Sequence, residues 1–324
     1  MAEYGLLLSL ENSYEKVEQL LNRQTHDEVI SSGQLQRMAV EKAEQISRVQ
    51  AEWVQQAEAM PLPSIATSVD LYDPQSAELL VFEDGIQVKG QKNQRKSKYR
   101  EAPGTDGKGK RPTTDMAIMP DGKHLIGGIG IAAVVLWQVM RAHVKRRYAD
   151  QQALPLVAIT DGAKHIRDHF ELAFQVAISW ILDWFHLKKK VNELCILICL
   201  SKAERQQNVK IILRHCWVGE VDKALDFLRT DVKSRNQKVL EELQNYLTKH
   251  KPEIINYQKR QKAGKVIGSG CMESAVNQTV ARRQKTRGMS WSAVGSKALA
   301  ILSTHRMNHE WDSLWAFNKP LIAR

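Results

Sequence analysis

From Leu80 to Cys199 the spacing of apolar residues switches repeatedly between the period of a strand and that of a helix, and this alternation restricts the fold most. Leu80, Phe82, Ile86 and Val88 fall on one face of a strand, with Glu83, Gln87 and Lys89 on the other. Asp84 falls on the apolar face, where a carboxylate needs a partner, a proton or a metal. Two further strands are expected over Asp115–Met119 and Lys123–Ile129, joined by the turn Pro120-Asp121-Gly122. A helix over Ala132–Tyr148 ends in Lys145-Arg146-Arg147, cations where the helix dipole favours them. The wholly apolar strand Leu154–Thr160 ends at Asp161-Gly162, a helix follows to about Phe174, and the strand Val176–Leu182 ends at Asp183. Another helix runs from His186 into Cys195 and Cys199.

Three strands, helix, strand, helix, strand, helix is an order with strong topological consequences. Short links suit antiparallel pairing of the first three strands, and helical crossovers imply parallel pairing of the last two. The expected fold is therefore α/β, a ribonuclease H-like mixed sheet with flanking helices. Residues 200–258 show helical periods only and read as an all-helical insertion. The chain divides on this reading into an N-terminal helical region with its linker (1–75), a first part of the core (76–199), the insertion (200–258) and C-terminal helices of the core (259–324). Within the N-terminal region, Val17, Leu20 and Leu21 mark one helix and Leu35, Met38 and Ala39 the next, which starts at Gln34 after the break Ser31-Ser32-Gly33. That pair could be a helix-turn-helix remnant, but a plain helical hairpin is the commoner outcome. The linker is Met60-Pro-Leu-Pro-Ser-Ile, whose two prolines stop a helix.

The charge balance narrows the partner. Lys and Arg number 47 against 36 Asp and Glu, a net charge of +11, which favours a polyanion such as nucleic acid. Four cysteines in a chain this long are not a disulfide scaffold, and a reducing compartment suits them. Cys195 and Cys199 lack the spacing of a zinc knuckle and are expected to pack as buried thiols. No secretion leader is recognisable, and the longest uncharged run, Leu125–Met140, is short for a membrane span. A cytoplasmic protein with no membrane partner is expected.

Three acids recur where such a sheet would bring them together: Asp84 on the first strand, Asp161 at the carboxyl end of the fourth, and Glu273 on a late helix. The carboxyl ends of parallel strands face the ligand crevice in open α/β sheets, which singles out Asp161. Converging carboxylates need cations, and their hard oxygens select Mg²⁺ or Mn²⁺, two ions of which can cleave a phosphodiester. Spacing alone is weak, because Asp-Gly after a strand is commonly just a turn.

Four segments sharpen this: Phe82-Glu83-Asp84-Gly85, Ile159-Thr160-Asp161-Gly162-Ala163-Lys164-His165-Ile166, Leu182-Asp183-Trp184-Phe185-His186-Leu187 and Gly268-Ser269-Gly270-Cys271-Met272-Glu273-Ser274. Together with Arg282-Arg283-Gln284-Lys285, Gly288-Met289-Ser290-Trp291-Ser292 and the tail His305-Arg306 with Trp311, the chain resembles the DDE transposases of the ISKra-type insertion sequences over roughly residues 80 to 317. The resemblance implies a nucleoid-associated bacterial enzyme that cuts element ends and joins them to target DNA with two divalent ions. It puts the metal ligands on Asp84, Asp161 and Glu273, and Asp183 and His186 in an Asp-x-x-His block. His186 is then a candidate catalytic group, or else caps or packs the following helix. Double-stranded DNA is the implied partner, with a homo-oligomer assembled on it. About 75 residues precede the first motif, fewer than in full-length relatives, so a truncated copy that binds DNA without cutting it is the main rival. A structure-selective nuclease on the same fold is the other.

The DNA contacts are expected from two basic stretches. Lys89–Arg111 carries nine Lys or Arg, including Arg95, Lys96, Lys98 and Arg100. Arg282, Arg283, Lys285 and Arg287 follow Glu273, and an uninterrupted helix would stack them into a stripe beside it. The run Gly127-Gly128-Ile129-Gly130 lacks the Lys-Ser/Thr of a P-loop and the full dinucleotide fingerprint, so no nucleotide cofactor is expected.

Overall fold

The structure, a computed structural model, describes residues 1–62, 65–66, 69–91, 111–119, 122–128, 134–150 and 153–315. Its strands are β1 (Ile65–Ala66), β2 (Leu79–Gln87), β3 (Thr113–Ile118), β4 (His124–Ile126), β5 (Ala153–Leu154), β6 (Leu156–Thr160) and β7 (Ser179–Leu182). Five of them form one mixed sheet in the order β4-β3-β2-β6-β7. β3 and β4 pair antiparallel, and β6 runs parallel to both β2 and β7. A separate two-residue parallel pair, β1 with β5, is too short to leave a period in the sequence.

Helices flank the sheet. Those before it are α1 (Ala2–Ser9), α2 (Tyr14–Thr25) and α3 (Ser32–Glu58), and α4 (Leu136–Arg147), α5 (Lys164–Phe174) and α6 (Trp184–Ile198) alternate with the strands. α7 (Lys202–Trp217), α8 (Val221–Thr230) and α9 (Gln237–His250) lie in the region read as a helical insertion, and α10 (Tyr257–Lys262) runs across its expected end at residue 258. α11 (Gly270–Val276) continues through a π-helical turn, Asn277–Ala281, into α12 (Arg282–Gln284), and α13 (Ala293–Met307) follows.

Several boundaries have side-chain causes. The Ser31 hydroxyl accepts from the Gln34 N–H at 3.2 Å while the Gln34 amide oxygen accepts from the Ser31 N–H at 2.8 Å. This capping box starts α3 at Ser32, two residues before the expected start. α6 likewise begins at Trp184 rather than His186, because the Asp183 carboxylate caps it. α4 starts at Leu136, later than the expected Ala132, and β4 stops at Ile126; residues 120–121 and 129–133 lie outside the described residues.

The chain forms two compact units. One comprises Met1–Leu62, Asp84–Ala149 and Cys271–Arg324. Its core includes Val17, Leu21, Ile30 and Leu35 of the N-terminal helices, and α13 packs against α3. α13 is buried on every side from Ala298 to His305, as a central helix must be. At the sheet edge, the Asn308 side chain completes β4. Its oxygen accepts from the His124 N–H and its NH₂ donates to the His124 carbonyl, both at 2.8 Å.

The other unit comprises Pro63–Glu83 and Asp150–Gly270. All five residues of β6 are buried, which suits a parallel strand covered on both faces. Arg260, fully buried, donates in a fork to Glu78 at 2.7 and 2.8 Å and to the Val266 carbonyl at 2.7 Å. Lys265 joins the same carboxylate at 2.6 Å.

β2 departs from simple alternation. It is the central strand, and Val81, Phe82 and Glu83 are buried in succession. Glu83, expected on the polar face, is thus buried, whereas Asp84, expected on the apolar face, is only half-buried.

Candidate active site

The carboxyl end of β6 presents Asp161 to solvent. Its Oδ1 accepts from the Ala163 N–H at 2.8 Å, which closes the turn into α5. Gly162 holds φ +83°, a left-handed conformation that glycine adopts without strain. A Cβ there would come within 2.5 Å of His250 Cε1, so glycine is required for space as well. His250 supports the turn from α9. It is buried, and its Nδ1 lies 3.0 Å from Glu253 Oε2, while Glu253 also pairs with Arg167. Burial, aided by the charges of Lys249 and Arg167 and opposed by Asp161, pushes its pKa down to about 4. The imidazole under the turn is therefore neutral at neutral pH.

Beside this turn β7 ends at Asp183, which is wholly buried. Its Oδ1 accepts from the Phe185 N–H at 2.6 Å and the His186 N–H at 2.9 Å. Its Oδ2 accepts from the Ser269 N–H at 2.5 Å and from the Ser269 hydroxyl. Burial would raise this pKa, but the hydrogen bonds from His186 and Ser269 prevail and hold it at about 2. Asp183 thus joins the start of α6 to the Gly268-Ser269 segment. Gly268 allows the approach, since a Cβ there would meet the Phe185 ring at 2.5 Å. The His186 Nδ1 lies 3.6 Å from Asp183 Oδ1, and the ring is half-buried.

Asp161 and His186 line one shallow pocket of about 190 Å³, together with Lys189, Lys190, Glu193 and Tyr246. Lys190 is paired with Glu242 at 2.9 Å, and Lys189 is exposed. Burial raises the Tyr246 pKa, with the charges of Asp161 and Asp183 adding to it, so the phenol remains a neutral donor. An exposed carboxylate, an imidazole, a phenol and an ammonium on one surface suit a phosphate-bearing ligand with a cation beside it. Tyr246 and His250 were missed in the sequence, although both fall on the apolar stripe of α9 with Leu243 and Leu247. Polar residues on a buried stripe are the signal that could have found them.

The other expected residues divide. Asp84 is half-buried on β2 and its Oδ1 accepts from the Gly85 N–H at 2.7 Å. Its neighbour Glu83 instead bonds His169 Nδ1 at 2.7 Å. Glu273 is exposed on α11. Asp84 and Glu273 belong to one unit and Asp161 to the other. Arg282, Lys285 and Arg287 are exposed, but Arg283 is not available as a surface cation. Its guanidinium lies 4.8 Å from the Trp291 ring centroid and 5.9 Å from that of Tyr14, and its Nε donates to the Ser9 carbonyl at 3.2 Å. The cause is the π turn, which breaks the expected uninterrupted helix after Glu273. Arg95, Lys96, Lys98 and Arg100 lie outside the described residues.

Asp84, Asp161 and Glu273 are hard oxygen donors open wholly or partly to solvent, so their chemistry fits Mg²⁺ or Mn²⁺. Among the described residues, no three His, Cys, Asp or Glu side chains are gathered as a metal-binding group. Also among the described residues, no helix is long and apolar enough to cross a membrane. Compared with known proteins, the chain matches the uncharacterised protein family UPF0236 over residues 131–312, more than half its length. No curated protein matches it.

Proposed function

We propose that this chain, which belongs to the uncharacterised protein family UPF0236, is a ribonuclease H-like DDE transposase that cleaves and joins DNA strands with divalent metal. The observation that carries the reading is Asp161, an exposed carboxylate at the carboxyl end of a buried parallel strand, sharing a pocket with His186 and Lys189. The strand order lends further support. The first long strand is central, an antiparallel pair lies on one side, and two parallel strands joined by a helix lie on the other.

In this reading Asp161 is a ligand of the divalent metal, Mg²⁺ or Mn²⁺, which when bound would supply the charge that activates a water or a 3′-hydroxyl. The protein's own groups bind and position. The Gly162 turn and the Ala163 N–H fix the Asp161 carboxylate, with neutral His250 beneath. His186 and Lys189 face the phosphate from α6. Asp183 is a positioning residue, because it ties α6 to Ser269. Arg282, Lys285 and Arg287 bind the DNA backbone, and double-stranded element ends and target DNA are the substrates of a homo-oligomer in the bacterial cytoplasm.

The test is joining of a labelled 3′-hydroxyl oligonucleotide to supercoiled plasmid in Mg²⁺ and in Mn²⁺. Asp161→Asn should lower nicking and joining to background while DNA affinity and the urea midpoint stay at wild-type values. Wild-type protein that binds DNA yet nicks nothing in either metal would leave only a DNA-binding protein. Nicking without joining would point to a nuclease.

A further inference from the structure

The unit containing α3, α4 and α13 holds a second cavity, of about 410 Å³, lined from these helices and from β4. That volume is within the range of small-molecule sites, about 300–1,000 Å³, and far exceeds one phosphate. Leu125, Ile126 and Val139 give it an apolar floor. Lys123, Arg146 and Arg147 add cations, whereas Glu310 is the one carboxylate in its lining. Glu310 is already ion-paired with Lys123, and its other oxygen is 3.6 Å from His305 Nε2. The charge left to meet a ligand is therefore that of the two arginines.

Two polar atoms in this lining are buried with no hydrogen-bond partner among the described residues: His124 Nδ1 and Arg146 Nε. Both side chains are held in place. Arg146 stacks over the Trp53 ring, 5.0 Å from its centroid, and its Nη2 donates to the Trp53 carbonyl at 3.2 Å and to Gln56 at 3.1 Å. The His124 backbone is clamped by Asn308, and burial keeps its imidazole neutral, so Nδ1 can accept or donate according to tautomer. A buried polar atom without a partner is costly, and a ligand that satisfied both atoms would remove that cost. The chemistry required is an anionic acceptor for the arginines joined to a flat, partly apolar body for the floor.

We propose that this cavity binds a nucleoside monophosphate unit, with its phosphate on Arg146 and Arg147 and its base over the apolar floor. The same unit comes from two sources, a free nucleotide or the 5′-phosphorylated end of a DNA strand. The glycine run from Gly127 carries no nucleotide-binding fingerprint, whereas this site is built from side chains of separate elements. It does not depend on the chemistry assigned to Asp161.

Calorimetric titration of the full chain with deoxyadenosine monophosphate, deoxyadenosine and inorganic phosphate tests the proposal. The monophosphate should saturate one site and bind about tenfold or more tighter than either fragment. Arg147→Glu, on an exposed residue, and His124→Leu should each weaken it about tenfold, with circular dichroism unchanged. A 5′-phosphorylated single strand that displaces the monophosphate, where its 5′-hydroxyl counterpart does not, assigns the site to strand ends; failure of both assigns it to free nucleotide. The proposal is overturned if no saturable binding occurs, if deoxyadenosine binds equally well, or if both folded variants bind like wild type.

Discussion

Replacing Asp183 with Asn separates a structural anchor from a reacting group. The wild-type carboxylate accepts three backbone N–H groups, of Phe185, His186 and Ser269, and the Ser269 hydroxyl. Despite burial, these donors hold its pKa at about 2 against an ordinary 3.8. That lowering corresponds to about 2–3 kcal/mol in favour of the ionised form within the fold. An amide in its place keeps one acceptor for the start of α6, but its NH₂ then faces the Ser269 N–H, donor against donor. Asp183→Asn is therefore expected to cost about 2–3 kcal/mol at pH 7. The pH dependence has a definite sign. Because the folded pKa lies below the unfolded one, this contribution is complete above about pH 4 and disappears as pH falls through about 2. Urea unfolding followed by circular dichroism should show a large gap between wild type and variant at pH 7, closing below about pH 4. A variant within about 0.5 kcal/mol of wild type at pH 7, or a gap unchanged down to about pH 2.5, would refute the reasoning.

Three other substitutions bear on separate parts of the architecture. Gly162→Ala combines a left-handed backbone with a close contact to His250 and should cost about 1–3 kcal/mol in urea unfolding. Adding His250→Ala should recover the contact part only, and full recovery would show that the backbone conformation carries no cost. Glu78→Gln leaves the buried Arg260 guanidinium without its counter-charge and should destabilise by about 3–5 kcal/mol, measured the same way; a loss below about 1 kcal/mol would contradict this. Asn308→Ala removes both side-chain bonds to His124 and should cost about 1–3 kcal/mol, with faster hydrogen exchange at the His124 amide. Unchanged exchange there would mean that β4 needs no such partner.

What could be read from the sequence was whatever depends on near neighbours. The apolar run of β6, its end at Asp161-Gly162 and the helix to Phe174 follow from period and turn chemistry over a few residues. The cap that starts α3 was visible as a break at Ser31, though the reciprocal bond with Gln34 moves the boundary. Burial set by distant elements was not legible. Glu83 reads as a solvent-facing residue only under strict alternation, whereas Val81, Phe82 and Glu83 of this central strand are buried in succession. Arg283 reads as part of a basic surface until Tyr14, some 270 positions earlier in the chain, is found beside it. The site divides in the same way. Asp161 was marked by its position at a strand end, whereas His250 reaches Gly162 from a helix nearly ninety residues away.

The π-helical turn at Asn277–Ala281 sets a rotational phase. Such a turn is an α-helix carrying one surplus residue, and each residue of an α-helix advances the azimuth by about 100°. Everything from Arg282 onward is thus indexed about a quarter-turn away from where Glu273 and an unbroken helix would aim it. That offset decides which of two adjacent arginines is dry and which is wet: Arg283 enters the slot between Tyr14 and Trp291, and Arg282 is left outside. Deleting one residue from the turn would therefore restore a plain α-helix and leave Arg283 aimed at the same slot, whereas α-helical geometry at unchanged length would aim Arg282 there instead.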